Sequence, residues 1–281
     1  YYYLLYGELG VTLNSWNRLR CGKILHRNFG DELNYYLLKE LTGKPISNYI
    51  DLPRWATADK PNYLFIGSLV EDFATEKTVI WGSGAIAGAP KPLLHKPKEV
   101  RAVRGKLTRE YLLENNVFCP EIYGDPALLT PLVYQPQIEK CYEWGIIPHI
   151  DDLDSIAVKH VEAQGVKVIR FGNYTDWHDV IDEICSCKCV MSSSLHGLIL
   201  SDAYHIPNVW ITLGNNLLGG TFKFQDYFSS VNRIEDKPFV LTEVTSLAEC
   251  EEIAVKYKPI DYDPQPLIDA APWKLNLKYQ K

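Results

Sequence analysis

The chain has 281 residues, of which 46% are apolar and 23% charged, a composition typical of one large globular domain or two ordinary ones. Its formal net charge of −6 argues against a general nucleic-acid-binding protein. The opening stretch YYYLLY is far too short to cross a membrane.

In the first half of the chain, strand and helix patterns alternate. Four leucines at helical spacing predict a helix over 31–41, and Gly43 is suited to ending it in a left-handed conformation. Apolar runs that end in glycine predict buried parallel strands. The predicted elements are a strand at 1–6, a helix at 31–41, strands at 62–68 and 78–84, a helix at 106–116 and a strand with a turn at 121–129.

The second half repeats the alternation more plainly. The predicted elements are a strand at 143–150, a helix at 152–165, a strand at 166–172, a helix at 176–187, a strand at 189–193, a helix from Leu195 and a strand at 207–213. This order is typical of an open parallel sheet with helices on both faces. We therefore expect an α/β protein.

The break between the halves falls in the proline-containing, weakly periodic stretch 130–140. We expect two Rossmann-like domains that face each other across a cleft, at 1–133 and 134–258. The last segment, 259–281, contains four prolines and is expected to pack back across the surface. Because ligands in open α/β sheets bind beyond the carboxyl ends of the strands, the chemistry should lie in the loops that follow them.

The seven cysteines are scattered, and their odd number, with no signal peptide recognised, predicts reduced thiols and a cytoplasmic protein. Cys185, Cys187 and Cys189 do not have the spacing of zinc-ligand pairs, and no second Cys/His pair accompanies them. We therefore expect buried thiols there. No metal site is predicted.

The stretch SSSLHG at 192–197 joins a predicted strand to a predicted helix. One serine is enough to cap a helix, because its oxygen accepts a hydrogen bond from an unpaired backbone N–H. Three serines, Ser192, Ser193 and Ser194, followed by His196 at a helix N-terminus, indicate an anion-binding site.

Other strand-end loops carry further candidates, each with a structural alternative. Asp31, after Arg27 and Asn28, is either a helix cap or part of a set that binds sugar hydroxyls. Arg104 at a helix start can grip a carboxylate or phosphate, or belong to a solvated basic turn. His149 ends a strand on the ligand side, where a lone histidine is more often packed.

The loop WGSG at 81–84 has the spacing G-x-G-x-x-x-G with a later glycine, which is a weak signal for a dinucleotide. Gly82 and its neighbour Ser83 can still approach a ligand closely. Asp125, before Pro126, is interpreted as a turn residue. Lys223 and Asp226 follow a glycine-rich loop and are further cleft candidates.

Seven motifs in this order resemble the polysaccharide pyruvyl transferase family over about 28–228. They are NFGDELN (28–34), WGSG (81–84), VRGKLT (103–108), GDPALL (124–129), GIIPH (145–149), SSSLHG (192–197) and KFQDY (223–227). The resemblance implies a fold like that of the two-domain GT-B glycosyltransferases. It also implies transfer of the pyruvyl group of phosphoenolpyruvate to sugar hydroxyls, commonly as a ketal on galactose or mannose in bacterial surface polysaccharides.

Fitted to this chemistry, the candidate residues take these roles: His196 as the catalytic acid and Asp31 as the base or a hydroxyl anchor, Arg104, Ser192, Ser193, Ser194 and Lys223 for the donor, and Arg27, Asn28, Gly82, Ser83 and His149 for the acceptor. Many relatives carry an arginine where this chain has Ser194, so Arg104 or Lys223 would have to hold the donor's charge. A helix N-terminus lowers the pKa of an imidazolium, and a bound anion raises it. His196 is therefore expected to act as an acid mainly when the donor is bound.

The expected partners are phosphoenolpyruvate, which is a substrate rather than a cofactor, and a glycan or lipid-linked oligosaccharide acceptor. Peripheral contact with the inner face of a membrane would follow from a lipid-linked acceptor. Two alternatives stay open: a GT-B-like glycosyltransferase that uses a nucleotide sugar, and a non-catalytic glycan-binding protein with the same fold.

Overall fold

The computed structural model describes residues 10–16, 19–20, 23–24, 28–57, 59–213 and 220–279. The predicted strand at 1–6 and Arg27 lie outside the described residues. Within them, the chain forms two five-stranded sheets in which neighbouring strands are parallel, and a small antiparallel pair. Helices alternate with the strands along the chain.

The N-terminal sheet has the strand order β4-β1-β5-β6-β7, and the antiparallel pair consists of β2 and β3. Alternate residues of a strand enter different apolar clusters: Ile80 packs in one and Trp81 in another. Both faces of this sheet are therefore covered. The strands are β1 (Val11–Leu13), β2 (Leu19–Arg20), β3 (Lys23–Ile24), β4 (Ile46–Asn48), β5 (Asn62–Leu64), β6 (Thr78–Trp81) and β7 (Glu99–Ala102).

The C-terminal sheet has the strand order β12-β11-β10-β8-β9. Ile146 and Ile147 on one central strand, and Val190 and Met191 on the next, again divide between two clusters. The strands are β8 (Tyr142–Ile147), β9 (Lys167–Val168), β10 (Cys187–Ser192), β11 (Asn208–Thr212) and β12 (Phe239–Val240).

The helices of the described residues fill the connections between these strands. They are α1 (Phe29–Thr42), α2 (Arg54–Thr57), α3 (Val70–Phe73), α4 (Lys106–Glu114), α5 (Ile156–Ala163), α6 (Trp177–Cys185), α7 (Leu195–Ala203), α8 (Phe222–Ser230), α9 (Leu247–Ala254) and α10 (Gln265–Asp269), with 3-10 turns at Tyr49–Asp51, Pro126–Leu132 and Ile150–Asp152. The predicted α/β fold with two Rossmann-like sheets is confirmed, and it is consistent with a GT-B-like arrangement. The domain boundaries stay predictions.

Helix α1 shows how local sequence sets an element. Its leucines are fully buried, so they form the apolar face that their spacing predicted. Asn28 caps the helix, because its Oδ1 accepts a hydrogen bond from the Gly30 N–H at 3.2 Å. The interpretation of Asp31 as the cap is therefore wrong, since Asp31 lies inside the first turn. Gly43 ends the helix at φ +64°, as predicted.

The predicted strand with a turn at 121–129 is the largest local difference. Tyr123 forms one bridge with Val103, and a 3-10 turn then runs over Pro126–Leu132. Pro126 and Pro131 have no N–H to donate to a strand ladder, which explains the change. The sequence did not predict strands β1–β4, β7 and β12 or helices α2, α3, α8, α9 and α10.

One apolar cluster joins the two halves of the molecule. It contains Phe29 and Trp81 from the first half and Trp210 and Phe224 from the second. The C-terminal segment returns to the first half, where the Leu267 carbonyl accepts a hydrogen bond from the Trp81 Nε1–H at 2.9 Å.

The described cysteines are free thiols, and Cys187 and Cys189 are buried as predicted, with Cys185 half-buried. The described part of the chain contains no group of three or more His, Cys, Asp or Glu side chains placed to hold a metal ion. Among the same residues, no helix is both long enough and apolar enough to span a bilayer.

Candidate active site

A cleft of about 140 Å³ lies where loops from both halves of the chain meet. Loops that follow β5, β8 and β10 contribute to it, as the strand-end rule predicts. Six of the predicted site residues line it: Asn28, Asp31, His149, Ser194, His196 and Lys223. The other lining residues are Trp16, Gly67, Ser68, Ile86, Pro148, Ile150, Phe171 and Leu195.

Two of the three predicted donor-binding serines are turned away from this cleft. Ser192 Oγ donates to backbone carbonyls and accepts from the Ser194 N–H at 3.1 Å. Ser193 Oγ donates to Asp152 at 3.1 Å and accepts from the His149 N–H at 2.8 Å. Both are buried, so they hold the strand-end loops together. Only Ser194 reaches the cleft lining, and its side chain caps nothing in α7.

Arg104 lies beneath the cleft and not in its lining. Its side chain is fully buried, and its Nε donates to Asp226 Oδ2 at 2.9 Å. Its Nη1 donates to Ser68 Oγ at 2.7 Å, and its Nη2 donates to the Ala85 carbonyl at 2.5 Å. The guanidinium is thus engaged by the protein, and it reaches the cleft only through Ser68 and through its charge.

The WGSG loop is also structural. Ser83 is buried, and its Oγ donates to the Gly67 carbonyl at 2.8 Å. Gly82 adopts φ +95° and packs against Pro126, where a β-carbon would overlap the proline ring. Neither residue lines the cleft, so the structure does not bring the two predicted acceptor contacts to it.

His196 is the second residue of α7, and its side chain is only 12% exposed. Its Nε2 has no hydrogen-bond partner in the described structure, and it lies 3.9 Å from Asp125 Oδ2. Burial, together with the nearby charges of Arg104 and Lys223, lowers the pKa of His196 to about 3. Without a ligand, the ring is therefore neutral at pH 7.

Asp125 forms the turn that the sequence predicts, but one of its carboxylate oxygens also lies buried without a hydrogen-bond partner in the described part of the chain, which the sequence did not indicate. Its Oδ1 accepts from the Ala127 N–H at 2.9 Å, which is the predicted turn. Its Oδ2 is buried and unpartnered among the described residues. Burial raises the pKa of Asp125 to about 7, and the Ala127 N–H and Arg104 oppose this rise.

Lys223 is the second residue of α8 and brings a cation to the cleft. Burial lowers the pKa of its amine to about 8, and Arg104 adds to the effect, whereas Asp31 and Asp151 oppose it. The amine is therefore charged at pH 7 but poorly solvated. A poorly solvated cation favours an anionic ligand, since the ligand replaces the lost hydration.

His149 also lines the cleft. Its Nδ1 accepts a long 3.4 Å hydrogen bond from the Asp151 N–H and lies 3.3 Å from the Asp151 carboxylate. Burial is the main cause that lowers the pKa of His149, and Lys223 contributes. At the helix start, Asn28 Nδ2 donates to Asp31 Oδ2 at 3.0 Å, which orients that carboxylate.

Of the other lining residues, Ser68 and Trp16 carry side chains suited to a ligand, and neither was predicted as a site residue. Ser68 is the last residue of the strand predicted at 62–68, and this strand-end position was the signal that could have indicated it. Trp16 lies in a stretch without a clear pattern. Its ring is 54% exposed and meets the Phe73 ring nearly edge-on, with centroids 4.6 Å apart.

Helices α1 and α7 begin at this cleft, because their N-cap residues Asn28 and Ser194 line it, and Lys223 reaches it from the second position of α8. Helix N-termini carry partial positive charge and unpaired N–H groups. Together with Lys223 and an unpartnered histidine nitrogen, the arrangement can bind an anion and move a proton.

The family model for polysaccharide pyruvyl transferases matches residues 28–215, which is more than half of the chain. The chain therefore belongs to the polysaccharide pyruvyl transferase family, and the resemblance seen in the sequence is confirmed. The family supports a pyruvyl-transferring enzyme of polysaccharide biosynthesis.

Two curated proteins are similar to this chain. The uncharacterized protein L143 of Acanthamoeba polyphaga mimivirus is 29% identical over 212 residues, which cover 72% of this chain and 70% of the relative. The succinoglycan biosynthesis protein ExoV of Rhizobium meliloti is 28% identical over 221 residues, which cover 72% of this chain and 61% of the relative.

Proposed function

We propose that this protein transfers the pyruvyl group of phosphoenolpyruvate to hydroxyls of a sugar, as a ketal on a galactose-type residue of a surface polysaccharide. Family membership supports the reaction class, and the name of ExoV supports the polysaccharide context. The observation that carries the proposal is the meeting of His196, Lys223 and the N-termini of α1 and α7 at one cleft.

Phosphoenolpyruvate carries a phosphate and a carboxylate, and the cleft offers groups that suit both. Lys223 supplies a formal charge, and Ser68 and Ser194 supply hydroxyls. The N-terminus of α7 lacks a side-chain cap, so its first N–H groups are available to an anion. Arg104 contributes positive potential from beneath, with no direct contact required.

The chemistry needs an acid for the methylene carbon of the donor and a base for the attacking hydroxyl. Protonation of that carbon leaves an oxocarbenium-like centre at C2, which a sugar hydroxyl attacks. Loss of phosphate and attack by a second hydroxyl close the ketal. We assign the acid to His196 and the base to Asp31, because both line the cleft and Asn28 orients the Asp31 carboxylate.

The acceptor sugar is proposed to bind in the outer part of the cleft, next to Trp16. Trp16 presents a half-exposed aromatic ring beside the hydroxyl-binding groups Asn28 and Asp31. Aromatic rings combine a large apolar surface with a fixed shape, which suits the apolar face of a sugar ring. A glycan or lipid-linked oligosaccharide would enter here.

The proposal is tested by phosphate release from phosphoenolpyruvate across a panel of galactosyl and mannosyl acceptors. A parallel thermal-shift measurement compares phosphoenolpyruvate with UDP-sugars. A ligand at about 100 times its Kd stabilises the folded state by about 2.7 kcal/mol. Stabilisation by a UDP-sugar alone would favour a nucleotide-sugar glycosyltransferase. Glycan binding without phosphate release would favour a non-catalytic binding protein.

A further inference from the structure

Two buried polar atoms face each other without a hydrogen bond at the floor of the cleft. They are Nε2 of His196 and Oδ2 of Asp125, 3.9 Å apart, and neither has another partner among the described residues. Buried polar atoms in native proteins are nearly always hydrogen-bonded, so such a pair needs an explanation. A movement of about 1 Å would bring the two atoms to hydrogen-bond distance.

The surroundings hold both side chains in place. The second oxygen of Asp125 is anchored by the Ala127 N–H at 2.9 Å. On the other side of the ring, Nδ1 of His196 lies so close to Gly30 that a β-carbon there would overlap it. The ring therefore has Nε2 towards Asp125 and Nδ1 against Gly30 at the start of α1, next to the cleft-lining residues Asn28 and Asp31.

We propose that Asp125 is the positioning and proton-holding partner of His196, so that the pair carries one proton that moves between Oδ2 and Nε2. Asp125 does not touch the substrate in this scheme. The pair is a property of the protein alone, and only the catalytic use of its proton rests on the proposed function.

The charges around the pair decide where the proton lies before the donor binds. Arg104 and Lys223 face His196, and with burial they lower its pKa to about 3. Asp125 faces Arg104, Asp226 and Tyr262, and burial raises its pKa to about 7. The proton therefore resides on Asp125 below about pH 7, and its O–H points at the lone pair of Nε2.

A bound anionic donor reverses this preference, because negative charge in the cleft favours the imidazolium. The Asp125 O–H bond then breaks as the Nε2–H bond forms, and Nδ1–H delivers its proton to the methylene carbon of the donor. Asp125 is left as a carboxylate that accepts from Nε2–H of a neutral ring. Asp31 takes the proton of the attacking hydroxyl and returns it to the pair, and the proton of the second hydroxyl leaves with the phosphate.

The pair can be tested without substrate by 15N NMR of histidine-labelled protein, with His196→Gln used to assign the signal. When Asp125 is protonated the ring proton must be on Nδ1, and when Asp125 is ionised it must be on Nε2. We expect the tautomer of His196 to switch with a midpoint near pH 7 while the ring stays neutral. In Asp125→Asn the amide always donates to Nε2, so the Nδ1–H tautomer should persist. A wild-type tautomer that stays constant from about pH 5 to 9 would overturn the proposal.

The catalytic use of the pair is tested by the same variant in the phosphate-release assay. Asp125→Asn keeps an acceptor for Ala127, and we expect kcat to fall by about 10²-fold or more while the KM for the donor changes little. The matched control is Asp176→Asn, an exposed helix-cap aspartate whose Oδ1 lies 2.6 Å from His178 Nδ1, outside the cleft lining.

The outcomes separate the two proposals. No phosphate release by wild type, together with a normal tautomer switch, would reject phosphoenolpyruvate as the donor and retain the pair. Wild-type kcat and an unchanged pH profile in a folded Asp125→Asn protein would reject the catalytic use of the pair.

Discussion

The guanidinium of Arg104 donates from Nε to Oδ2 of Asp226 at 2.9 Å, and both side chains are fully buried. Thr108 completes the arrangement, because its N–H and hydroxyl donate to the same carboxylate at 2.8 and 2.6 Å. The contact joins α4 of the first half of the chain to α8 of the second. It thereby fixes the helix that carries Lys223.

Asp226→Ala should strongly destabilise the protein. Removing one partner leaves a buried, uncompensated guanidinium, which costs about 3–5 kcal/mol of unfolding free energy. Chemical denaturation measures this loss, and Asp236→Ala on the exposed surface nearby is the control. An apolar double replacement, Arg104→Met with Asp226→Leu, should lose less than Asp226→Ala alone. Equal stability of Asp226→Ala and wild type would contradict a structural role for the pair.

Donor affinity should fall as the pH rises through the pKa of Lys223, which is about 8 in the ligand-free protein. The amine is charged below this pH and neutral above it, so the attraction for an anion is lost on the alkaline side. Titration of phosphoenolpyruvate at about pH 7 and about pH 9 measures the effect. Lys223→Arg, which stays charged throughout, should bind with little change between the two. Parallel losses in wild type and Lys223→Arg would assign the dependence to another group.

His196→Gln should lower kcat by about 10²–10⁴-fold without lowering stability. Glutamine keeps a polar side chain opposite Asp125 Oδ2, which lies 3.9 Å from Nε2 in the wild type, so stability should change little. Turnover per folded molecule and thermal midpoint are measured together. His95→Gln, at an exposed position outside the cleft lining, is the control. A near-normal kcat in His196→Gln would move the acid role to His149.

Gly30→Ala should reduce kcat by displacing the His196 ring, since a β-carbon at this position overlaps Nδ1. Alanine is the better helix former, so the effect is not a loss of helix propensity in α1. The double variant Gly30→Ala with His196→Gln isolates the cause. Its kcat should match that of His196→Gln alone, because the affected ring is already absent. Additive losses would show that Gly30 acts on something else.

Trp16→Ala should raise the KM for the acceptor glycan and leave donor binding unchanged, because the ring lies at the cleft mouth. Steady-state kinetics with each substrate varied in turn separates the two constants. The matched control is Trp55→Ala, since Trp55 is also exposed, at 67%, but does not line the cleft. Equal effects of the two substitutions would argue against a sugar platform at Trp16.

Local features of the site were predictable from sequence. The turn from β10 to α7 and the start of α1 follow from apolar periodicity and cap residues within about ten positions of each other. The rule for strand ends then placed His196, Asp31 and His149 on one side of the fold. The family could also be recognised from short sequence motifs.

Strand β7 was harder to predict, because a four-residue strand leaves little periodic signal. The 3-10 turn after Asp125 was harder to predict because its prolines prevent the strand that the apolar residues suggested. The serines illustrate a different limit. Their position at a helix start was correct, but the direction of Ser192 and Ser193 depends on β8 and the loop after it, which come from another part of the chain.

The sequence by itself determined the alternating α/β elements, the helix that carries His196 and the family to which the chain belongs, because each depends on residues close together in the chain. Only the tertiary structure decided that Arg104 lies buried against Asp226 and that Asp125 faces His196. Arg104 and Asp226 are 122 positions apart in the chain, and Asp125 and His196 are 71 positions apart. Their burial and their charges exist only once the two sheets have packed together, and no local pattern encodes that desolvation.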